Sequence, residues 1–124
     1  MNLNILGIDF EDWYHPQLVQ PFVKNLEHDP KIINGIKKII ELLQKNETSA
    51  TFFMVGELLE HDPSILDLIF DNGHEIAFHT MTHSNLNELT KEKFLNELDT
   101  FDNLTDGKSK GFRAPTFSLN RNTS

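Results

Sequence analysis

The chain contains no cysteine. Disulfides, thiolate metal sites and a cysteine nucleophile are thereby excluded, and any bound metal must be held by histidine and carboxylate. Basic residues are in short supply: 11 Lys and Arg against 19 Asp and Glu give a net charge of −8 at pH 7. With no Lys/Arg cluster to offset it, this charge repels polyanions, so neither nucleic acid nor an anionic membrane is expected as a partner. No apolar run approaches the roughly 20 residues of a membrane-spanning helix. Met1 leads almost at once into the first strand with no secretory signal, so the expected location is the cytoplasm. Internal repeats, low-complexity tracts and flexible linkers are also missing. What is present is 124 residues of ordinary hydrophobic content, enough for a single domain over 1–124 with one modest core.

Short apolar runs alternate with amphipathic stretches. Residues 3–8 read as a buried strand, and 31–45 as an amphipathic helix with Ile32, Ile33, Ile36, Ile39, Ile40 and Leu43 on one stripe. Between them, 14–29 reads as a loop-like insertion. Residues 50–55 are a second apolar, β-rich run closed by Gly56. Asp62-Pro63 supplies an N-cap and an N1 proline for a helix that Asn72-Gly73, a pair tolerant of left-handed backbone, brings to a stop. Residues 74–78 are the third strand. Thr90 caps a further helix with Phe94, Leu95, Leu98 and Phe101 as its apolar positions, and after a turn over 106–110 the segment Gly111-Phe112-Arg113 reads as a fourth strand. The order β-α-β-α-β-α-β predicts an α/β fold with a parallel sheet or barrel, in which chemistry gathers at the carboxyl ends of the strands.

Chemistry-bearing residues fall at those ends. The first strand runs into Asp9, Glu11 and Asp12, acids that repel one another unless a cation or a basic group compensates. The third runs into His79-Thr80-Met81-Thr82-His83. Residues four apart lie on one face of a helical turn, so both imidazoles can reach a single ion. The same spacing occurs on solvated helices, and it is placement directly after a strand that favours ligands. Two histidines and a carboxylate with open positions suit a hydrolytic metal centre, because a bound water needs a free position. Arg113, ahead of Ala114-Pro115, faces the acids in this arrangement and would fix one of them by a bidentate pair as an ionised base. His28, His61 and His74 read as surface or packing residues, and His15 is set apart by its place beside the acids. Phe52, Phe53 and Phe78 read as core.

Together these pieces resemble the polysaccharide deacetylase (NodB-homology) family, also called carbohydrate esterase family four. Asp9-Phe10-Glu11-Asp12-Trp13 is similar to its first motif in the form of an exopolysaccharide-associated branch, where Asp-Val-Glu-Asp-Trp/Tyr replaces Thr-Phe-Asp-Asp-Gly. Ala50-Thr51-Phe52-Phe53-Met54-Val55-Gly56 resembles the family's second strand. Gly73-His74-Glu75-Ile76, followed by His79 and His83, resembles the second motif, and Arg113-Ala114-Pro115 resembles the third, Arg-x-Pro. The resemblance implies a distorted (β/α) barrel of which this chain would form the first half, stopping before the fourth and fifth motifs and their general-acid histidine. It also implies that Asp12, His79 and His83 hold a divalent metal, expected to be zinc, with Glu11 as general base paired to Arg113. A second alignment makes Asp9 the base and Glu11 the ligand, and both registers stay open on the sequence.

The activity so implied is metal-dependent hydrolysis of N-acetyl groups on an amino sugar, with an N-acetylated polysaccharide or its precursor as the partner molecule. The metal would polarise the acetamide carbonyl, and Glu11 or Asp9 would take the proton of water. For the leaving amine the chain offers no evident proton donor except His15. Two other readings stand beside this one: an allantoinase-like amidohydrolase that opens a small ring amide, and a non-catalytic metal- or glycan-binding piece completed by a further segment.

Overall fold

Three short strands, β1 (Gly7–Phe10), β2 (Thr51–Met54) and β3 (Glu75–Phe78), pair in parallel in that spatial order. The structure is a computed structural model that describes residues 4–23 and 29–121. The register is flush, with Phe10, Met54 and Phe78 level across the sheet, so the segments that leave the three strands start at one height. Parallel neighbours need crossover connections. The first contains α1 (Gln20–Val23) and α2 (Ile32–Lys45), the second α3 (Glu57–His61) and α4 (Ser64–Asp71), and α5 (Lys91–Leu104) follows β3.

Several helix ends are closed by local hydrogen bonds from side chains or backbone. On α2 the apolar residues recur at helical spacing, so Ile36, Ile40 and Leu43 are buried while Ile32, Ile33 and Ile39 pack partly on the same core. Asp62 Oδ1 accepts from the N–H and the hydroxyl of Ser64 at the start of α4. At its end Gly73 adopts φ +78°, and the N–H groups of Gly73 and His74 bond back to the carbonyls of Phe70 and Ile69, the paired bonds of a Schellman stop. Thr90 Oγ1 accepts from the Lys93 N–H at 3.1 Å and caps α5. Phe10, Phe52, Phe78 and Phe101 are fully buried in the core, each contributing about 1.5–3 kcal/mol by leaving water. Phe78 centres the aromatic packing, its ring 4.7 Å from Phe101 and 5.9 Å from Phe112.

The α/β alternation is as expected, and four details differ. The strand expected over 3–8 lies at Gly7–Phe10, and Ile5 and Leu6 are 84% and 41% exposed: β1 is the edge of the described sheet, where apolar character alone gives no burial. Leu3 lies outside the described residues. The expected fourth strand is reduced to one parallel bridge, Phe78 to Phe112, because Ala114-Pro115 turns the chain into a single 3-10 turn, Pro115–Phe117. The insertion over 14–29 contains α1, with 24–28, including His28, outside the described residues. Finally, α3 is a five-residue helix that no periodic pattern announces.

Candidate active site and metal centre

Strand alternation sorts the acids of the first motif. Asp9 and Glu11 are two apart and line one pocket, while Phe10 between them enters the core. Asp12 turns the other way. It is buried, its Oδ1 accepts from the Trp13 N–H at 2.8 Å, and its Oδ2 accepts from the N–H groups of Lys31 and Ile32, the latter at 2.7 Å. The resemblance makes Asp12 a metal ligand. The structure instead has its carboxylate capping α2, whose own N-cap residue Lys31 supplies no side-chain cap, where it meets the open N–H groups of the first turn and the positive end of the helix dipole.

The two histidines converge without a helical turn. Thr80 and His83 both adopt left-handed backbone, φ 61° and 60°, a costly conformation for residues with a Cβ and most of all for a β-branched one. Neighbouring segments impose it. The N–H groups of Gly56 and Glu57 donate to the carbonyls of Thr80 and Met81 at 3.0 Å each, the Ser84 N–H donates to Thr80 Oγ1, and the Met81 N–H donates to Glu97 Oε2. Gly56 allows this approach, since a Cβ there would overlap Met81 Sδ and lie 3.1 Å from the Phe101 ring. The outcome is a ring-to-ring distance of 5.0 Å between His79 and His83.

Glu11 completes the group, and donor atoms of Glu11, His79 and His83 all lie within 4.8 Å of one another. His83 Nε2 is 2.6 Å and His79 Nε2 3.9 Å from Glu11 Oε2. His79 Nδ1 lies 2.6 Å from the Arg113 carbonyl, which can only accept, so Nδ1 carries the proton and the Nε2 lone pair faces the cluster. Burial pushes the His79 pKa down, against an upward pull from that carbonyl, leaving the neutral ring that ligation requires. The adjacent His83 holds the Glu11 carboxyl below its usual range, with burial opposing. Their close approach nevertheless lacks hydrogen-bond alignment, for among the described residues neither Glu11 Oε2 nor His83 Nδ1, both buried, has a hydrogen-bond partner. A buried carboxylate oxygen without an aligned donor is expensive, and a cation among the three donors would relieve it. Two imidazoles and a carboxylate are a donor set that suits zinc and its neighbouring divalent ions.

Beside the cluster, Asp9 Oδ1 accepts from Arg113 Nη1 at 2.6 Å, through one bond rather than a bidentate pair. The guanidinium stacks on the Phe53 ring, 3.8 Å from its centroid; Phe53, expected in the core, is half-buried and stands outside the core that Phe52 and Met54 join, because strand alternation turns it to the other face of β2. Gly7 leaves room for the guanidinium, since a Cβ there would lie 2.8 Å from Arg113 Nη2. Pair and cluster share an open pocket of about 420 Å³, with Leu18 and Phe117 also in its lining. The structure thus joins Asp9, not Glu11, to Arg113, and joins Glu11, not Asp12, to the histidines.

His15 does not reach the pocket as a proton donor. It is 2% exposed, its Nδ1 accepts the Asp12 N–H at 2.8 Å, and its Nε2 meets the Glu57 carboxylate. His74 is buried with Nδ1 accepting from the Ala50 N–H, and His61 is exposed. Glu57 carries no sequence signal, because it opens a helix too short to show a period.

The family model for polysaccharide deacetylases matches residues 26–124. Among curated proteins, a peptidoglycan-N-acetylglucosamine deacetylase of Bacillus cereus is 36% identical over 61 residues, 49% of this chain and 22% of the relative. Among solved structures, the Bc1960 peptidoglycan N-acetylglucosamine deacetylase superposes with a TM-score of 0.70 at 22% identity, over 96% of this chain and 49% of that one. A CE4 family pseudoenzyme from Bacillus anthracis gives a TM-score of 0.69 at 20% identity, over 98% and 39%. The chain therefore spans about half the length of the first of these structures and 22% of the curated relative. At such identities the structural likeness speaks to the fold, a distorted (β/α) barrel. With the family model covering most of the chain and its motifs gathered at one edge of the sheet, the chain belongs to the polysaccharide deacetylase family.

Proposed function

We propose that this chain carries the metal and base half of a metal-dependent carbohydrate N-deacetylase, which hydrolyses the acetamide of an N-acetylated sugar in a polysaccharide or its precursor. The observation that carries the proposal is the presence of two units in one pocket: three converging donors, Glu11, His79 and His83, and an acid, Asp9, held by Arg113. The kinship to a peptidoglycan deacetylase supports the substrate class. A pseudoenzyme on the same fold makes the site, not the architecture, the deciding argument.

Glu11, His79 and His83 would hold a divalent ion, with zinc expected, which when bound polarises the acetamide carbonyl and acidifies a neighbouring water. Asp9 is the base. As the water oxygen bonds to the carbonyl carbon, the Asp9 carboxylate takes the water proton, and cleavage of the C–N bond then yields acetate and the free amine. Arg113 keeps Asp9 in one orientation and is itself braced by the Phe53 ring. Among the residues of this chain, His79 spends its ring proton on the Arg113 carbonyl and His15 is turned to Glu57, so Asp9, once it has taken the water proton, is the group here that can return it to the departing nitrogen. Leu18 and Phe117, 89% and 77% exposed, give the pocket an apolar border suited to the face of a sugar ring.

Acetate release from N-acetylglucosamine oligomers, measured together with bound metal, tests the assignment. Asp9→Asn is expected to slow release by about 100- to 10,000-fold with metal retained, and Glu11→Gln to lose the metal. Turnover by Asp9→Asn at the wild-type rate removes Asp9 as the base. A metal-loaded protein that releases no acetate from any N-acetylated glycan overturns the deacetylase reading.

A further inference from the structure

The three proposed ligands come from the two outer strands of the sheet, Glu11 after β1 and the histidines after β3, with β2 between them. Neighbouring strands lie about 4.8 Å apart, so the two loops must lean over the end of β2 to meet. The helix that leaves β2 is α3, and its first residue is Glu57.

We propose that His15 and Glu57 form a positioning pair that fixes the Glu11 loop against the His79–His83 loop and so sets the geometry of the metal centre. The proposal rests on the reading of Glu11, His79 and His83 as ligands. One unbroken path joins the two loops. The Glu57 N–H donates to the Met81 carbonyl at 3.0 Å, midway between the histidines. The Glu57 carboxylate accepts from His15 Nε2, and His15 Nδ1 accepts the N–H of Asp12, the residue after Glu11, at 2.8 Å. Proton placement is consistent along the path: the Asp12 N–H requires a lone pair on Nδ1, which puts the ring proton on Nε2 and aims it at the carboxylate. A second strut runs parallel, because Gln20 Nε2 donates to the His15 carbonyl at 2.6 Å and reaches the Thr82 carbonyl at 3.5 Å. His15 is buried and the Glu57 side chain 36% exposed, so the carboxylate can be altered without opening the core.

Titration of the full chain with Co²⁺ alone, followed by the visible bands that report ligand geometry, tests the pair. Glu57→Ala is expected to weaken Co²⁺ binding by about tenfold or more and to shift the bands, with the melting temperature in chelator near that of the wild type. Glu57→Gln keeps an oxygen to accept the His15 proton and should restore both affinity and bands. Glu57→Asp keeps the charge and the helix start but withdraws the reach, and should behave like Glu57→Ala; it serves as the test if the alanine variant does not fold. His15→Ala added to Glu57→Ala should cost little more, since the two act through one path. Wild-type affinity and bands in Glu57→Ala or Glu57→Asp overturn the positioning role. Failure of the wild type to bind Co²⁺ overturns the metal reading beneath it.

Discussion

The carboxylate of Asp12 lies 2.7 Å from the backbone nitrogen of Ile32, twenty positions further along the chain. The residue that follows Glu11 therefore governs the first turn of α2.

That bond makes Asp12 a determinant of stability. Asp12→Ala removes the cap and leaves the N–H groups of Lys31 and Ile32 without their acceptor, a loss of about 2 kcal/mol. Metal stoichiometry should be unchanged. Urea unfolding and metal analysis of the same preparation decide the matter, and full stability with lost metal would return Asp12 to the ligand set.

Arg113 is predicted to be irreplaceable by lysine. The guanidinium bonds Asp9 and stacks on Phe53 at once, and an ammonium cannot reproduce the planar stack. Arg113→Lys should lower acetate release on the order of 100-fold through misplacement of the base, while metal content stays at the wild-type level. Steady-state rates with parallel metal analysis provide the check.

Gly56→Ala should destabilise the protein by about 1–3 kcal/mol through overpacking against Met81 and Phe101. Because Met81 lies between the two histidines, metal affinity should fall as well. Adding Met81→Ala should recover part of the metal affinity, and thermal melts with and without Zn²⁺ separate the two effects.

His74 should give the fold a pH dependence. Burial pushes its pKa below 6.5, and its Nδ1 accepts the Ala50 N–H, so the unfolded chain binds this proton more tightly than the folded one. The stabilisation is full above pH 6.5 and is lost as the pH falls from there toward the folded-state pKa, below which the loss levels off. Urea unfolding across that range should show a shallower slope in His74→Asn than in the wild type. An unchanged slope assigns the dependence to other groups.

Much of the architecture was legible because its signals are local. The Asp62-Pro63 start, the Asn72-Gly73 stop and the Thr90 cap each rest on chemistry within a few residues; the stop and the Thr90 cap are found in place, and the start lies one residue on, with Pro63 at the N-cap of α4 and Asp62 bonded to Ser64. The acids were ambiguous for a definite reason: three of them within four positions satisfy either alignment, and only the alternation set by Phe10 in the core sends Asp9 and Glu11 one way and Asp12 the other. The histidine spacing suggested a helical turn because four-residue spacing is the helical signature, whereas here two left-handed residues achieve the same convergence. Ile5 and Leu6 resembled core because hydropathy does not reveal which strand is an edge.

Those left-handed positions put the site at odds with heat resistance. Glycine or asparagine would relax the backbone at 80 and 83, yet the chain holds a threonine and a histidine there. A library of variants screened only for survival at high temperature should drift toward those two residues. At position 83 that drift would erase one of the two imidazoles, so thermal selection would disarm the protein while improving it.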